Sequence, residues 1–377
     1  MRSTVEWVIY FYLFICFTLL VFNALYIARS TLLKRARAER VSQWEAAFAK
    51  GLGEAQLTKQ HLKTLSKAEQ LTAFYTAFQN QAMDPEQTHR FFQLNALQLQ
   101  NLALVYSKRT VMERAFFAYF VASFHTSDVG NNDMLAEIML SYLDDSTVYC
   151  RENVLHALYA LGRPQALEHA FEILNQRGWY HNPKLIADGM ASFTGDKTAL
   201  VLRLWKHRGE WEEPLNVGTV QFAMSLKDPA LDQAFYEALD SENLTTEVRF
   251  ALVRYFQRHP YEPVLSVLYR YLETQDAQDS QLAVAAAAAL QFYPGEDTRQ
   301  HLKEALHSRS WYVRHNAASS LNHLGILPED VEEIRQSGDR YALEMLQYVT
   351  KPPVTDTDDA STAESGPGME SLEEVPV

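Results

Sequence analysis

The chain has 377 residues, a formal net charge of −13 and two cysteines. That length suits one long array with flanking segments, and the acid excess repels a phosphate backbone, so no nucleic-acid partner is expected. Cys16 falls in an apolar run and Cys150 opens a helix, which excludes a disulfide between them and fits a reducing compartment.

Trp7 to Ala28 is a run of 22 residues without a charge, bounded by Glu6 and Arg29. At about 1.5 Å per residue it spans roughly 33 Å, enough for a hydrocarbon core of about 30 Å. Trp7, Tyr10 and Tyr12 at one end and Tyr26 at the other suit the two interfaces. The run is longer than a signal-peptide core and has no small-x-small exit, so an uncleaved transmembrane helix over 7–28 is expected. Arg2 and Glu6 precede it; Arg29, Lys34, Arg35, Arg37 and Arg40 follow. The positive-inside rule then leaves residues 1–6 outside the cytoplasm and the rest within it, a single-pass protein of the cell membrane. Residues 29–50 read as a basic juxtamembrane helix. Its cations read first as a topology signal and second as a contact for anionic headgroups.

Residues 51–131 read as capping helices: an amphipathic one over Ala68–Gln79, then Phe91–Tyr106 and Val111–Phe124. From 132 to 350 a signature recurs. Cys150–Gly162 aligns without a gap on Val313–Gly325, and marks at Arg151, Lys184, Asn216, Arg249, Ala283 and Arg314 are 31–34 residues apart. Offsets −1, +3, +7 and +10 from each mark share a helical face, giving one apolar stripe per unit. A first helix precedes each mark: Leu135–Leu143, Ala166–Leu174, Ala199–Trp205, Leu231–Leu239, Val264–Leu272 and Thr298–Leu306. The expected fold is therefore all-α: an α-solenoid of helical pairs preceded by one transmembrane helix, closed by a last helix over Gly338–Tyr348. Residues 351–377 hold one lysine and seven acids among Pro, Ser and Thr, and read as a disordered acidic tail.

Asp145–Arg151 and Ser308–Arg314 resemble the start of the second helix of HEAT repeats, with a polar cap, a hydrophobic-arginine pair, small apolar residues and then Leu-Gly. The likeness covers about Asn132 to Ile326. A tetratricopeptide array has a similar period, but its first-helix Trp/Leu-Gly-Tyr run is absent in phase, and Leu161-Gly162 and Leu324-Gly325 end second helices instead. Ala283 and Asn216 replace the arginine, so those units are expected to lack its usual inter-repeat pairing. The resemblance is to membrane-anchored HEAT proteins of bacterial type. It implies a protein partner from envelope or polysaccharide-making machinery, such as a membrane glycosyltransferase. It also leaves open a HEAT-like enzyme of lyase type, or a structural subunit of a membrane complex.

Chemistry is sparse in the sequence. No phosphate loop, dinucleotide fingerprint, His-Glu-x-x-His or Cys-x-x-Cys is present, and the 12 histidines have no metal-ligand spacing. Glu304-x-x-His307 has no second copy, and Glu152 and His156 read as a surface contact one turn apart. The expectation is thus no enzyme, no cofactor, no metal and a scaffold that binds protein. The second helices of such arrays line an extended face. Between their stripe positions, aromatic and cationic residues of the hot-spot kind are Tyr159, Phe250, Arg254 and Arg258, with His315 and Asn316 in the last unit.

Overall fold

The computed structural model describes residues 2–81, 83–123, 132–239, 244–273 and 280–350. Among them every regular element is helical. The expected acidic tail at 351–377 lies outside the described residues.

Helix α1 (Arg2–Ala49) is 48 residues long. Its apolar part has a mean hydropathy of 2.2 and is wholly unburied, so one helix is long and apolar enough to cross a membrane. The same helix runs on without a break until it reaches Trp44 and Phe48, each only 6% exposed. There the Trp44 ring meets Phe74 edge-on at 5.1 Å and Phe48 lies 5.4 Å from the same ring.

Chain contacts define two compact units, Met1–Val264 and Leu265–Val377. The first continues through α2 (Lys59–Leu65), α3 (Ala68–Asn80), α4 (Pro85–Leu94), α5 (Ala96–Tyr106) and α6 (Val111–Ala122). Phe74, Phe78, Phe91, Phe92 and Phe120 form one buried aromatic cluster in it. Each such side chain contributes about 1.5–3 kcal/mol of burial. The expected single helix over Phe91–Tyr106 is interrupted at Asn95, which is fully buried with φ −107° and ψ 16°. Its Oδ1 accepts from Leu57 N–H at 2.6 Å, and its Nδ2 donates to Ala55 O and Phe91 O. An amide side chain that satisfies a distant loop and its own previous turn breaks the helix to do so.

Beyond these come α7 (Asn132–Ser141), α8 (Val148–Leu161), α9 (Pro164–Gln176), α10 (Pro183–Ala191), α11 (Lys197–Trp205), α12 (Glu213–Ala223), α13 (Pro229–Leu239) and α14 (Thr246–Arg258). Helices α5, α7, α9, α11 and α13 pack side by side as one layer, and α6, α8, α10, α12 and α14 as the other. This is the expected stack of helical pairs, and the same stacking already holds α5 and α6. The layers are stitched by polar bonds: Tyr142 Oη donates to Ala103 O at 2.7 Å, and Thr194 Oγ1 to Ala160 O at 3.0 Å.

The second unit holds α15 (Leu265–Glu273), α16 (Ser280–Ala289), α17 (Glu296–Ala305), α18 (Trp311–Leu324), α19 (Pro328–Gln336) and α20 (Arg340–Thr350). Its α16, α18 and α20 form one layer, with α17 packed on α15 and α18. Arg299 and Lys303 of α17 reach Asp330 and Glu333 of α19. Ser320 Oγ, buried, donates to Ala287 O at 2.7 Å and ties α18 to α16.

The repeat marks acquire a structural meaning. Arg151, Asn216, Arg249, Ala283 and Arg314 are each the fourth residue of a second helix. Arg151 donates to Ser146 O at 3.1 Å and Arg314 to Ser308 O at 2.7 Å, each holding the loop that enters its own helix. Asn216 holds the loop that enters its own helix in the same way: its Nδ2 donates to Arg208 O and Trp211 O, both at 3.0 Å. Arg114 stands at the fourth position of α6 and donates to Asp144 O, a mark the sequence reading missed. The mark at Lys184 is out of phase. In α10 the fourth residue is Ile186, and Ile186, Gly189, Met190 and Phe193 are buried while Lys184 and Ala191 are exposed. Helices α8 and α9, 14 and 13 residues long, delay the start of α10, which a fixed period does not register.

Candidate functional site

The second-helix layer of the first unit presents a groove across α6, α8 and α10. Tyr119, Ser123, Asn153, His156 and Ser192 line it, with Ala122 and Ala160, around a volume of about 380 Å³. Local sequence sets each helix start. Thr110 and Glu113 form a reciprocal cap on α6, and the Thr147 hydroxyl accepts from Cys150 N–H on α8. Asn182 accepts from Lys184 N–H, and Pro183 takes the first position of α10.

One wall of the groove is a hydroxyl network. Tyr75 Oη donates to Tyr119 Oη at 3.3 Å, lies 3.0 Å from Ser123 Oγ and accepts from Gln79 Nε2 at 2.6 Å. Burial pushes the Tyr75 phenol above its ordinary range. Ser123 Oγ also donates to Tyr119 O, and Ser192 Oγ to Gly189 O. The lining carries no carboxylate. Among the described residues no cluster of His, Cys, Asp or Glu could hold a metal ion.

The expected site residues fall in different places. Tyr159 is 2% exposed and forms part of the core, its ring under Gly189. Its hydroxyl has no hydrogen-bond partner among the described residues, and burial drives the phenol pKa upward. A residue placed on the open face by helical offset is thus covered by the neighbouring helix. Phe250, Arg254 and Arg258 do share one side of α14. The Arg254 guanidinium lies 5.9 Å from the Phe250 ring centre, and Arg254 and Arg258 are exposed.

In the second unit, His315 stacks on Trp311 at 5.0 Å and lies 6.2 Å from Tyr348. Asn316 turns its amide to Tyr312 O at 2.8 Å, so it supports the helix. Around His315 stands a surface that the sequence reading did not single out: Trp311, Tyr312, Tyr341 and Tyr348 are 48%, 66%, 68% and 64% exposed. Arg314 lies over Tyr341 at 5.8 Å. The seven-residue spacing of Tyr341 and Tyr348 was the available signal.

Two polar clusters behind the first unit's layers were also missed. His181, nearly fully buried, has Nε2 3.1 Å from Glu152 Oε1, so Glu152 pairs with it rather than with His156. That partner pulls the Glu152 carboxyl below its usual range against the cost of burial. The second cluster joins α9 to the turn after α11. Glu168 takes Arg203 Nη1 at 2.6 Å and His207 Nε2 at 2.7 Å, and His207 stacks on Trp211 at 4.7 Å.

No family model matches this chain, and no curated protein matches it. A solved structure that is similar to it is human deoxyhypusine hydroxylase in complex with glycerol, 17% identical over 82% of this chain and 96% of that one, with a TM-score of 0.27. At that score the fold assignment rests on the helix packing above. The bacterial-type resemblance has no family-model support. The expectation that the chain is no enzyme is not upheld: the similar solved structure is that of an enzyme, and at a TM-score of 0.27 it assigns no activity to this chain.

Proposed function

We propose that this chain is a membrane-anchored helical-repeat scaffold whose array lies in the cytoplasm and holds a protein partner near the bilayer. The observation that carries this reading is the continuity of α1. One unbroken helix passes from exposed apolar turns to Trp44 and Phe48, which are locked into the aromatic cluster of the array. An anchor fixed in this way holds any bound partner at high local concentration without a strong individual affinity. The surfaces offered are the Phe250–Arg254 side of α14 and, separately, the Trp311–Tyr348 face of the second unit, both of the aromatic and cationic kind found at binding hot spots. The partner class that the resemblance implies, a membrane glycosyltransferase, is the first to test.

The test is site-specific photocrosslinking of the full-length protein in its native membranes, from positions 254 and 348. A defined protein adduct from either position supports the scaffold, and its absence from both with the fold intact overturns it. Orientation is read from Tyr341→Cys: an impermeant maleimide should label it only after the cells are opened.

A second reading attaches to the α6–α8–α10 groove, whose uncharged, hydroxyl-rich lining suits a neutral polar small molecule. A panel of such compounds that raises the melting temperature of the wild type but not of His156→Ala would support it.

A further inference from the structure

The cations after the apolar run of α1 are not spread evenly around the helix. Ser30, Leu33, Arg37, Arg40, Trp44 and Phe48 follow one another in steps of three and four, so they share one side. Arg29 and Lys34 flank that side, and Arg35 alone points away from it. At the lower end of the side, Trp44 and Phe48 are buried against the body, and Arg40 is held by Glu69 at 2.9 Å. Above them, Tyr26, Arg29, Ser30, Leu33, Lys34 and Arg37 line a shallow concavity of about 400 Å³. Arg29, Lys34 and Arg37 are exposed, and among the described residues none of them has an ion-pair partner. No acid occurs between Glu6 and Glu39.

Depth matches this pattern to the bilayer. If the apolar run fills the hydrocarbon, Arg29 lies at its edge, and Arg37 stands eight residues, or about 12 Å, beyond. The polar headgroup layer is several ångströms thick on each side, so these three cations cover it and the water just outside it. We propose that this concavity binds the headgroup of an anionic phospholipid on the side of α1 from which the array projects. The phosphate sits among Arg29, Lys34 and Arg37, the Ser30 hydroxyl donates to it, and Tyr26 lies along the upper acyl chain. The site rests on the anchor reading. It adds a rotational preference: lipid held on one side of the stalk fixes which face of the array turns toward the membrane.

The experiment reconstitutes full-length protein in phosphatidylcholine vesicles containing a minority of phosphatidylglycerol. The ratio of spin-labelled phosphatidylglycerol to spin-labelled phosphatidylcholine immobilised by the protein is then measured. Wild type should prefer the anionic lipid several-fold at low salt, and R29Q/K34Q/R37Q should lose that preference, bringing the ratio to about one. Arg35→Gln, off the cationic side, should keep it, and added inorganic phosphate should not displace the lipid. Equal ratios for wild type and the triple variant overturn the site. So does a loss in Arg35→Gln as large as in the triple variant, which would mean diffuse charge. Release of the protein from vesicles by an alkaline wash overturns the anchor together with the site, whereas retention without lipid preference overturns the site alone.

Discussion

The ring of Tyr159 fills the space that a side chain at position 189 would need: a Cβ on Gly189 would stand 2.5 Å from Tyr159 Cε2. Helices α8 and α10 approach this closely because one contributes a flat ring and the other nothing. Gly189→Ala gains helix propensity but forces a buried ring to move, and over-packing of this kind costs about 1–3 kcal/mol. The expected outcome is a lower melting temperature than wild type. An unchanged or higher value would show that the two helices slide apart freely.

Tyr159→Phe is expected to act in the opposite direction. The phenol is buried and its hydroxyl has no partner among the described residues, so removing it relieves a desolvated polar group. A stabilisation of about 1 kcal/mol in urea unfolding is the expected size. If Tyr159 instead served the open face, this variant would weaken partner crosslinking and leave stability untouched.

Asn95→Leu should be among the most damaging single changes in the first unit. It removes an acceptor for Leu57 N–H and donors to Ala55 O and Phe91 O, all in a buried position. Phe91 O keeps the backbone N–H of residue 95, but leaving Leu57 N–H and Ala55 O unpaired costs roughly 1–3 kcal/mol each where water cannot replace the amide. Chemical denaturation should show the midpoint shifting down, and proteolysis should find the 51–58 connection first.

The Glu168–His207 contact gives stability a pH signature. Hydrogen bonding to Glu168 raises His207 above its ordinary 6.5, so its contribution is complete below that value and is lost as pH rises through the higher folded value. For Glu168 burial alone would raise the carboxyl, but the bonds from His207 and Arg203 outweigh it and lower it from 4.5. Its contribution is therefore present above that value and is lost as pH falls through the lower folded one. The contact is strongest between about pH 4.5 and 6.5. Melting temperatures of wild type and His207→Gln should differ more at about pH 5.5 than at about pH 8.5. A gap that widens toward alkaline pH would contradict the assignment.

Trp311→Ala and Tyr348→Ala remove exposed side chains, so stability should change by no more than about 0.5 kcal/mol. Partner recovery should fall by about tenfold or more if this face carries a hot spot. Normal recovery from both variants would move the binding site to the α14 side.

The helical pairs were legible because their cause is local. A side chain's place in the apolar stripe depends on residues three and four positions away, so Arg151, Arg249 and Arg314 marked equivalent turns without any knowledge of the stack. The long apolar helix of α1 was legible for a similar reason, since length and hydropathy are properties of one segment. Where the reading slipped, distance along the chain had stopped being informative. Ile186 took the place assigned to Lys184 because the long helices α8 and α9 shifted the helix start, and Asn95 broke a helix because a loop some 40 residues earlier took its amide.

The candidate site divides along the same line. Residue type and helical offset selected Phe250, Arg254 and His315, which stand at or near the surface, and equally selected Tyr159, which does not. Exposure is decided by the neighbouring helix, not by a residue's own, so Tyr159 went under α10 while Trp311, Tyr341 and Tyr348 were left uncovered. What the amino-acid sequence determined was the helix, its stripe and the apolar stalk. Which side chains stay exposed was decided only when the helices stacked, because burial is a relation between elements far apart in the chain.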